Sequence, residues 1–327
     1  MIKQNLHTHS TYCDGKDRIE EMVQTAIEKG FTVLGFSGHG PCLVDEVAMK
    51  ESDLPNYRKD ILEAKEKYKD QIQIFLGIEE DISQRIPSKE PYDFVIGSKH
   101  FMFIKNQVKN VDYSKEMAQE IVELYDGDFL KYAKDYYEDL KNIAHYPEVD
   151  IVGHLDLLMK FNEDESFLSF TDPTYLSYAK DCIDVLIKAG KIFEVNTGAI
   201  SRGYRTKPYP HQTLLAYIQE KGGKILLNSD CHNRVNLDCY YKESMELIKQ
   251  CGFKTMMTLT TEGFKEVPID RLTVWQLFLL VIYKFQNTWL NHTSVWHRGR
   301  HFQWLWPSLW PLKHQQHPAE LLLVGWP

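Results

Sequence analysis

The stretch Ile225–His232, ILLNSDCH, joins an apolar run of strand length directly to Asp230 and His232. The same arrangement recurs along the chain. Strand candidates at Ile2–Leu6, Val33–Ser37, Ile74–Ile78, Phe94–Gly97, Ile151–Gly153 and Ile192–Val195, most of them short apolar runs, are separated by segments of helical period. Those segments predict helices at about 18–29, 54–69, 115–142, 173–189 and 211–221, with another at about 242–250. Gly30 and Gly190 stand where helix C-caps are expected, and Asp172-Pro173 reads as a helix start. Strands alternating with helices imply a parallel sheet. Seven such units over about 250 residues predict a TIM-like α/β barrel, one strand short of the usual eight. A doubly wound open sheet is the alternative.

The ends of these runs carry the chemistry. His7 and His9 follow the first as H-T-H, and residues i and i+2 of an extended chain point to the same side. Asp14 lies in the same loop. His39 follows the second run in SGHGP, Glu79 the third in GIEED, His100 the fourth in GSKH and His154 the fifth in GHLD. A lone histidine after a strand is usually an ordinary loop or core residue. Here six of seven strands deliver a ligand-type side chain at the end where barrel active sites form. Imidazoles with carboxylates suit Zn, Mn or Fe, without need of thiolates. Nine ligands exceed the about four to six that one ion takes, so two or three divalent ions are expected, with Glu79 a candidate bridge. Clustered metals acidify a bound water and clamp phosphoryl oxygens. His145 and His211 lie at helix ends outside this pattern and read as structural or surface residues, and the six cysteines as reduced and space-filling.

Formal net charge is −8 over 327 residues, which argues against a nucleic-acid track. The first ten residues, MIKQNLHTHS, hold no long apolar run, so a cytoplasmic location is expected. Composition changes sharply near 270. All seven Trp fall between Trp275 and Trp326, while residues 1–269 carry 33 basic and 44 acidic side chains. The chain therefore divides into a catalytic barrel, 1–269, and a Trp-rich tail, 270–327. The tail's best apolar run, Val274–Tyr283, is far short of the about 20 residues of a membrane span. It reads first as an out-of-frame or chimaeric translation. A poorly ordered or membrane-surface extension and a small module are the alternatives.

In this order, H-T-H, S-G-H-G-P, G-I-E, G-S-K-H, G-H-L-D and S-D-C-H resemble the polymerase-and-histidinol-phosphatase (PHP) superfamily. DIVGHLDLLMKFN and EVNTGAISRGYR are similar to its histidinol-phosphatase branch. The resemblance covers residues 1–269. It implies a distorted (β/α)7 barrel with a trinuclear centre. His7, His9, Glu79 and Asp230 would hold the first metal. Glu79 would bridge to a second held by His100 and His154. Asp14, His39 and His232 would hold the third. The implied reaction is hydrolysis of L-histidinol phosphate, late in histidine biosynthesis. Gly38 stands where an acidic residue is common and Lys99 where a small or apolar one is, which bears on the substrate pocket.

A phosphorylated small molecule also invites guanidinium groups. Arg202 and Arg205, after the sixth strand, and Lys160 are the substrate-binding candidates. Asp230 and His232 are candidates for handling the leaving-group proton, and Asp156 for orienting His154. Two enzymatic rivals are another PHP-type phosphoesterase and a metal-dependent amidohydrolase, whose barrels add a lysine ligand; Lys99 is the residue to watch for the latter. A non-catalytic metal-binding protein should show a broken ligand set.

Overall fold

The computed structural model describes residues 3–83 and 90–269; the segment expected over 270–327 lies outside them. In chain order the strands are β1 (Gln4–Asn5), β2 (Val33–Phe36), β3 (Gln73–Asp81), β4 (Phe94–Ser98), β5 (Phe101–Ile104), β6 (Gln107–Asn110), β7 (Ile151–Val152), β8 (Ile192–Asn196), β9 (Lys224–Asn228), β10 (Thr255–Thr260) and β11 (Gly263–Pro268). The helices are α1 (Ile19–Glu28), α2 (Leu54–Lys67), α3 (Lys115–Leu124), α4 (Phe129–Leu140), α5 (Pro173–Lys188), the short α6 (Gly198–Ser201), α7 (Gln212–Glu220) and α8 (Tyr241–Gln250).

Among the described residues, seven strands form one parallel sheet in the order β1-β2-β3-β4-β7-β8-β9. The sheet curls until β1 and β9 meet. One parallel bridge, Thr8 with Cys231, joins them, and the His9 N–H donates to the Cys231 carbonyl at 3.0 Å. Side chains close the rest of the seam: Leu6 N donates to Asn228 Oδ1 at 2.8 Å, and Asn5 Nδ2 to Ser229 Oγ at 2.6 Å. This closure excludes the open doubly wound sheet.

Strand alternation sorts polarity along the barrel axis. Leu6, Val33, Phe75, Phe94, Ile96, Ile151, Ile192 and Leu226 form an apolar plug at the N-terminal end, against Met257 and Leu259 of β10. Two residues further along the same inward faces stand Ser98, Glu194 and Asn228, and then the ligand-type side chains. The Phe94 ring needs space from its neighbours. A Cβ on Gly77 would lie 2.2 Å from it and one on Gly35 2.7 Å, so both positions take glycine. A larger core packs the helices onto the outside of the sheet.

One expectation needs correction. The predicted helix over 115–142 is two helices, because Asp126 (φ 59°) and Gly127 (φ 78°) turn left-handed and Asp128 caps α4 by accepting from Leu130 N and Lys131 N. The hairpins β5–β6 and β10–β11 were unpredicted. Gly30 and Gly190 do follow α1 and α5 with positive φ, and Asp172 caps α5. No helix among the described residues is long and apolar enough to cross a membrane.

Substituting Gly77→Ala should destabilise the barrel by about 1–3 kcal/mol, since the added methyl would overlap the buried Phe94 ring. Urea unfolding checks this; an unchanged midpoint would show that the ring can shift.

Candidate metal centre

The loops at the C-terminal ends of the strands draw all nine predicted residues to one place. Parallel pairing of His39 with Glu79 carries β2 beyond its end along the last residues of β3, with Gly40 N donating to the Glu79 carbonyl at 2.8 Å. Asp14 is brought round by a loop in which Lys16 N donates to the His232 carbonyl, also 2.8 Å. Asp230 holds a left-handed backbone (φ 47°), which a non-glycine residue adopts at a cost of about 1 kcal/mol or more. Its carboxylate presses on Gly198, where a Cβ would lie 2.5 Å from Oδ2. The glycine of VNTG is thus what lets Asp230 turn inward.

Glu79 occupies the middle. Its Oε2 is 3.0 Å from His7 Nε2, 3.2 Å from His39 Nδ1 and 3.7 Å from His9 Nε2. Its Oε1 is 3.1 Å from His154 Nε2 and 3.4 Å from His100 Nε2. Asp230 Oδ1 lies 3.2 Å from His9 Nε2 and 3.6 Å from His7 Nε2. Asp14 faces His232 at 2.9 Å, His9 at 3.5 Å and His39 at 3.8 Å. Three groups have ligand atoms close enough to share an ion: His9, Asp14, His39 and His232; His7, His9 and Asp230; and His39, Glu79 and His100.

Several of these atoms are buried and have no hydrogen-bond partner: His7 Nε2, His9 Nε2, Glu79 Oε2 and Asp14 Oδ1. Leaving such an atom unsatisfied costs about 1–3 kcal/mol. A cation seated between them satisfies nitrogens and oxygens together, so the donor set suits metal binding. The charges agree. Burial opposes ionisation of Glu79, but His7, His39 and His100 outweigh it and hold the carboxyl well below its usual range. Burial, with the His232 and His39 rings nearby, pushes His9 down to about 3, leaving it a neutral imidazole, the form that ligates. Burial would also lower His100, but Glu79 and Asp81 prevail and raise it to about 10.

The site opens into a cavity of about 220 Å³ whose wall includes Arg202, Lys160, Asp112 and Tyr204. Arg202 reaches Asp230 Oδ2 at 3.2 Å and His232 Nδ1 at 2.8 Å. Lys160 lines the cavity while donating to the Asp112 carbonyl and carboxylate at 2.7 and 3.0 Å.

Arg205 is a correction. It is 4% exposed and does not line the cavity. Its guanidinium lies 4.5 Å from the Tyr209 ring and pairs with Glu163 at 3.4 Å and Asp156 at 4.0 Å. Asp156 is another: its Oδ2 accepts from His211 N at 2.9 Å, while His154 Nε2 faces Glu79. Gly38 is packed on Cys13 Sγ, 2.9 Å from where a Cβ would be, so an acidic side chain has no room there. Lys99 pairs with Asp139 of α4 at 3.0 Å and is absent from the cavity wall, unlike a lysine ligand.

Sequence reasoning missed three carboxylates. Glu194 of β8 lies 2.7 Å from His7 Nδ1. Asp81 accepts from His100 N and lies 3.4 Å from His100 Nδ1. Asp112 holds Lys160. The parity of β8, with Ile192, Glu194 and Asn196 all inward, would have revealed the first.

The chain also resembles known proteins in sequence and in fold. The PHP domain family matches residues 5–198. A Schizosaccharomyces pombe protein named "Probable histidinol-phosphatase" is 25% identical over 301 residues, spanning 84% of this chain and 96% of its own. The histidinol-phosphatase of Bacillus subtilis is 22% identical over 268 residues, 75% of this chain and 99% of its own. Among solved structures, the histidinol phosphate phosphatase of Lactococcus lactis, complexed with Zn, L-histidinol and phosphate, aligns with a TM-score of 0.58 at 21% identity. That alignment covers 80% of this chain and 98% of the other.

Arg205→Ala should cost about 3 kcal/mol of stability, because it strands the buried Asp156 carboxylate away from the cavity, whereas Arg202→Ala should cost less, because Arg202 and Asp230 line the cavity and solvent there can reach the carboxylate. Paired urea titrations check this, and equal losses would contradict the assignment of Arg205 to the framework.

Proposed function

The chain belongs to the PHP domain family, and on that premise we propose that it is a metal-dependent phosphomonoesterase hydrolysing L-histidinol phosphate to L-histidinol and phosphate, in histidine biosynthesis. The observation that carries the reading is the convergence of unpartnered, buried imidazole and carboxylate atoms beside a cavity that also receives a guanidinium and an ammonium group. The choice of substrate is supported by relatives of that name that align over nearly their whole length.

The proposed ligand set is the nine residues. His7, His9, Glu79 and Asp230 form one group. Glu79, His100 and His154 form a second, and Asp14, His39 and His232 a third. His9 and His39 each stand beside two groups. Two to three divalent ions of Zn, Mn or Fe would supply a nucleophilic hydroxide and the positive charge that draws phosphoryl oxygens.

The chain's own residues do the rest. Arg202 and Lys160 place positive charge on the cavity wall, where phosphate oxygens of a bound ester would lie. Hydrolysis forms one P–O bond from water and breaks the P–O bond to the alcohol, whose oxygen must gain a proton. Asp230 and His232 line the cavity beside Arg202 and can hold or pass that proton. Asp112 keeps Lys160 at the wall. Lys99, tied to α4, removes the main argument for an amidohydrolase.

The test is phosphate release from L-histidinol phosphate, p-nitrophenyl phosphate and a nucleoside monophosphate, with Mn or Zn added. Histidinol phosphate should show the highest kcat/KM, and a chelator should abolish turnover. A preference for the nucleotide, or no turnover of any ester, would overturn the proposal. His9→Ala and Asp230→Ala should each lower kcat/KM by about a hundredfold or more and reduce bound metal, with circular dichroism unchanged. Near-normal turnover in either variant would remove it from the proposed site.

A further inference from the structure

The carboxylate of Glu194 is fully buried and belongs to none of the three ligand groups, yet four donors converge on it. Asn228 Nδ2 donates to Oε1 at 2.8 Å, and His7 Nδ1 lies 2.7 Å from the same oxygen. Asn196 Nδ2 donates to Oε2 at 2.8 Å and the His154 backbone N–H at 3.1 Å. Both amides are oriented by the main chain, because Asn228 Oδ1 accepts from Leu6 N and Asn196 Oδ1 accepts from Gly198 N, each at 2.8 Å. Three of the four partners can therefore only donate. The remaining question is where the proton between Oε1 and His7 Nδ1 resides. A carboxylate that already accepts from three such donors accepts at the fourth contact as well, so the proton sits on the nitrogen.

That proton fixes what the other side of the ring does. In a neutral His7 with Nδ1 protonated, Nε2 presents a lone pair. It faces Glu79 Oε2 at 3.0 Å and Asp230 Oδ1 at 3.6 Å, neither of which has a proton to offer. Three acceptors facing one another are satisfied by a cation. We propose that Glu194 is the positioning residue of the centre. It holds His7 in the Nδ1–H tautomer so that Nε2 is presented as a metal ligand, and through the His154 N–H it ties a second ligand loop to the same carboxylate. The arrangement is a carboxylate–histidine–metal relay. It rests on the reading of the nine residues as a metal centre.

Two measurements on the full chain test it. Zinc affinity of Glu194→Gln, measured by chelator competition, should fall about 10–100-fold, because a neutral amide polarises the ring less and does not enforce the tautomer. In zinc-loaded wild type with 15N-labelled histidine, the His7 signals, identified by their loss in His7→Gln, should report a protonated Nδ1. A role in packing alone would lower the melting temperature of metal-free Glu194→Gln and leave its zinc affinity at the wild-type value, which would overturn the proposal. A protonated Nε2 on His7 would also overturn it, even if Glu194→Gln fails to fold. A wild-type chain that takes up no zinc would instead overturn the metal reading of the cluster, and this proposal with it.

Discussion

A carboxylate buried among imidazoles governs the upper half of this barrel. Glu79 is 2% exposed and has His7, His39, His100 and His154 within 3.0–3.4 Å. A charge so enclosed is costly unless its neighbours answer it. The four rings come from four different loops, so each loop must reach one point within a few tenths of an ångström. The bridge from His39 to Glu79 and the left-handed turn at Asp230 serve that convergence.

The lower half makes this possible by being apolar. Phe94, Phe75 and Ile192 fill the barrel where no polar group could be satisfied, and Met257 and Leu259 of the β10–β11 hairpin close the end. Because alternate residues of each strand share a face, the apolar layer and the polar layer are spelled by the same strands two residues apart. Ile192 and Glu194 show this on β8, and Leu226 and Asn228 on β9. Stability and chemistry are thereby separated along the axis rather than across domains.

This layering explains what was legible in the sequence. Six of the seven strands were readable because each lies in a short apolar run, β1 (Gln4–Asn5) being polar and flanked by Ile2 and Leu6, and the nine candidates because each follows one of these segments. The β5–β6 hairpin was not readable: Gln107–Asn110 is mostly polar and exposed, and the hairpin adds to no barrel strand. Glu194 escaped because it lies within a strand rather than after one, and its partner His7 is 187 residues away. Asp156 was matched to the nearby His154 by sequence distance, whereas its partners His211 and Arg205 come from a different loop.

Arg202 and Arg205 show the limit most sharply. They are three residues apart, of the same type, and in the same loop after β8. Arg202 ends the short helix α6, and its side chain turns back over Asp230 and His232. Gly203 then takes a positive φ of 77° and reverses the chain, while Tyr204 N and Arg205 N both donate to the Ala199 carbonyl. After that reversal Arg205 enters the protein between Tyr209 and Phe170, where only Asp156 and Glu163 answer its charge. Both arginines meet a carboxylate, and both pairs satisfy the same electrostatics. What separates the group at the cavity from the group in the framework is the direction set by a single glycine, and charge pattern alone carries no information about direction.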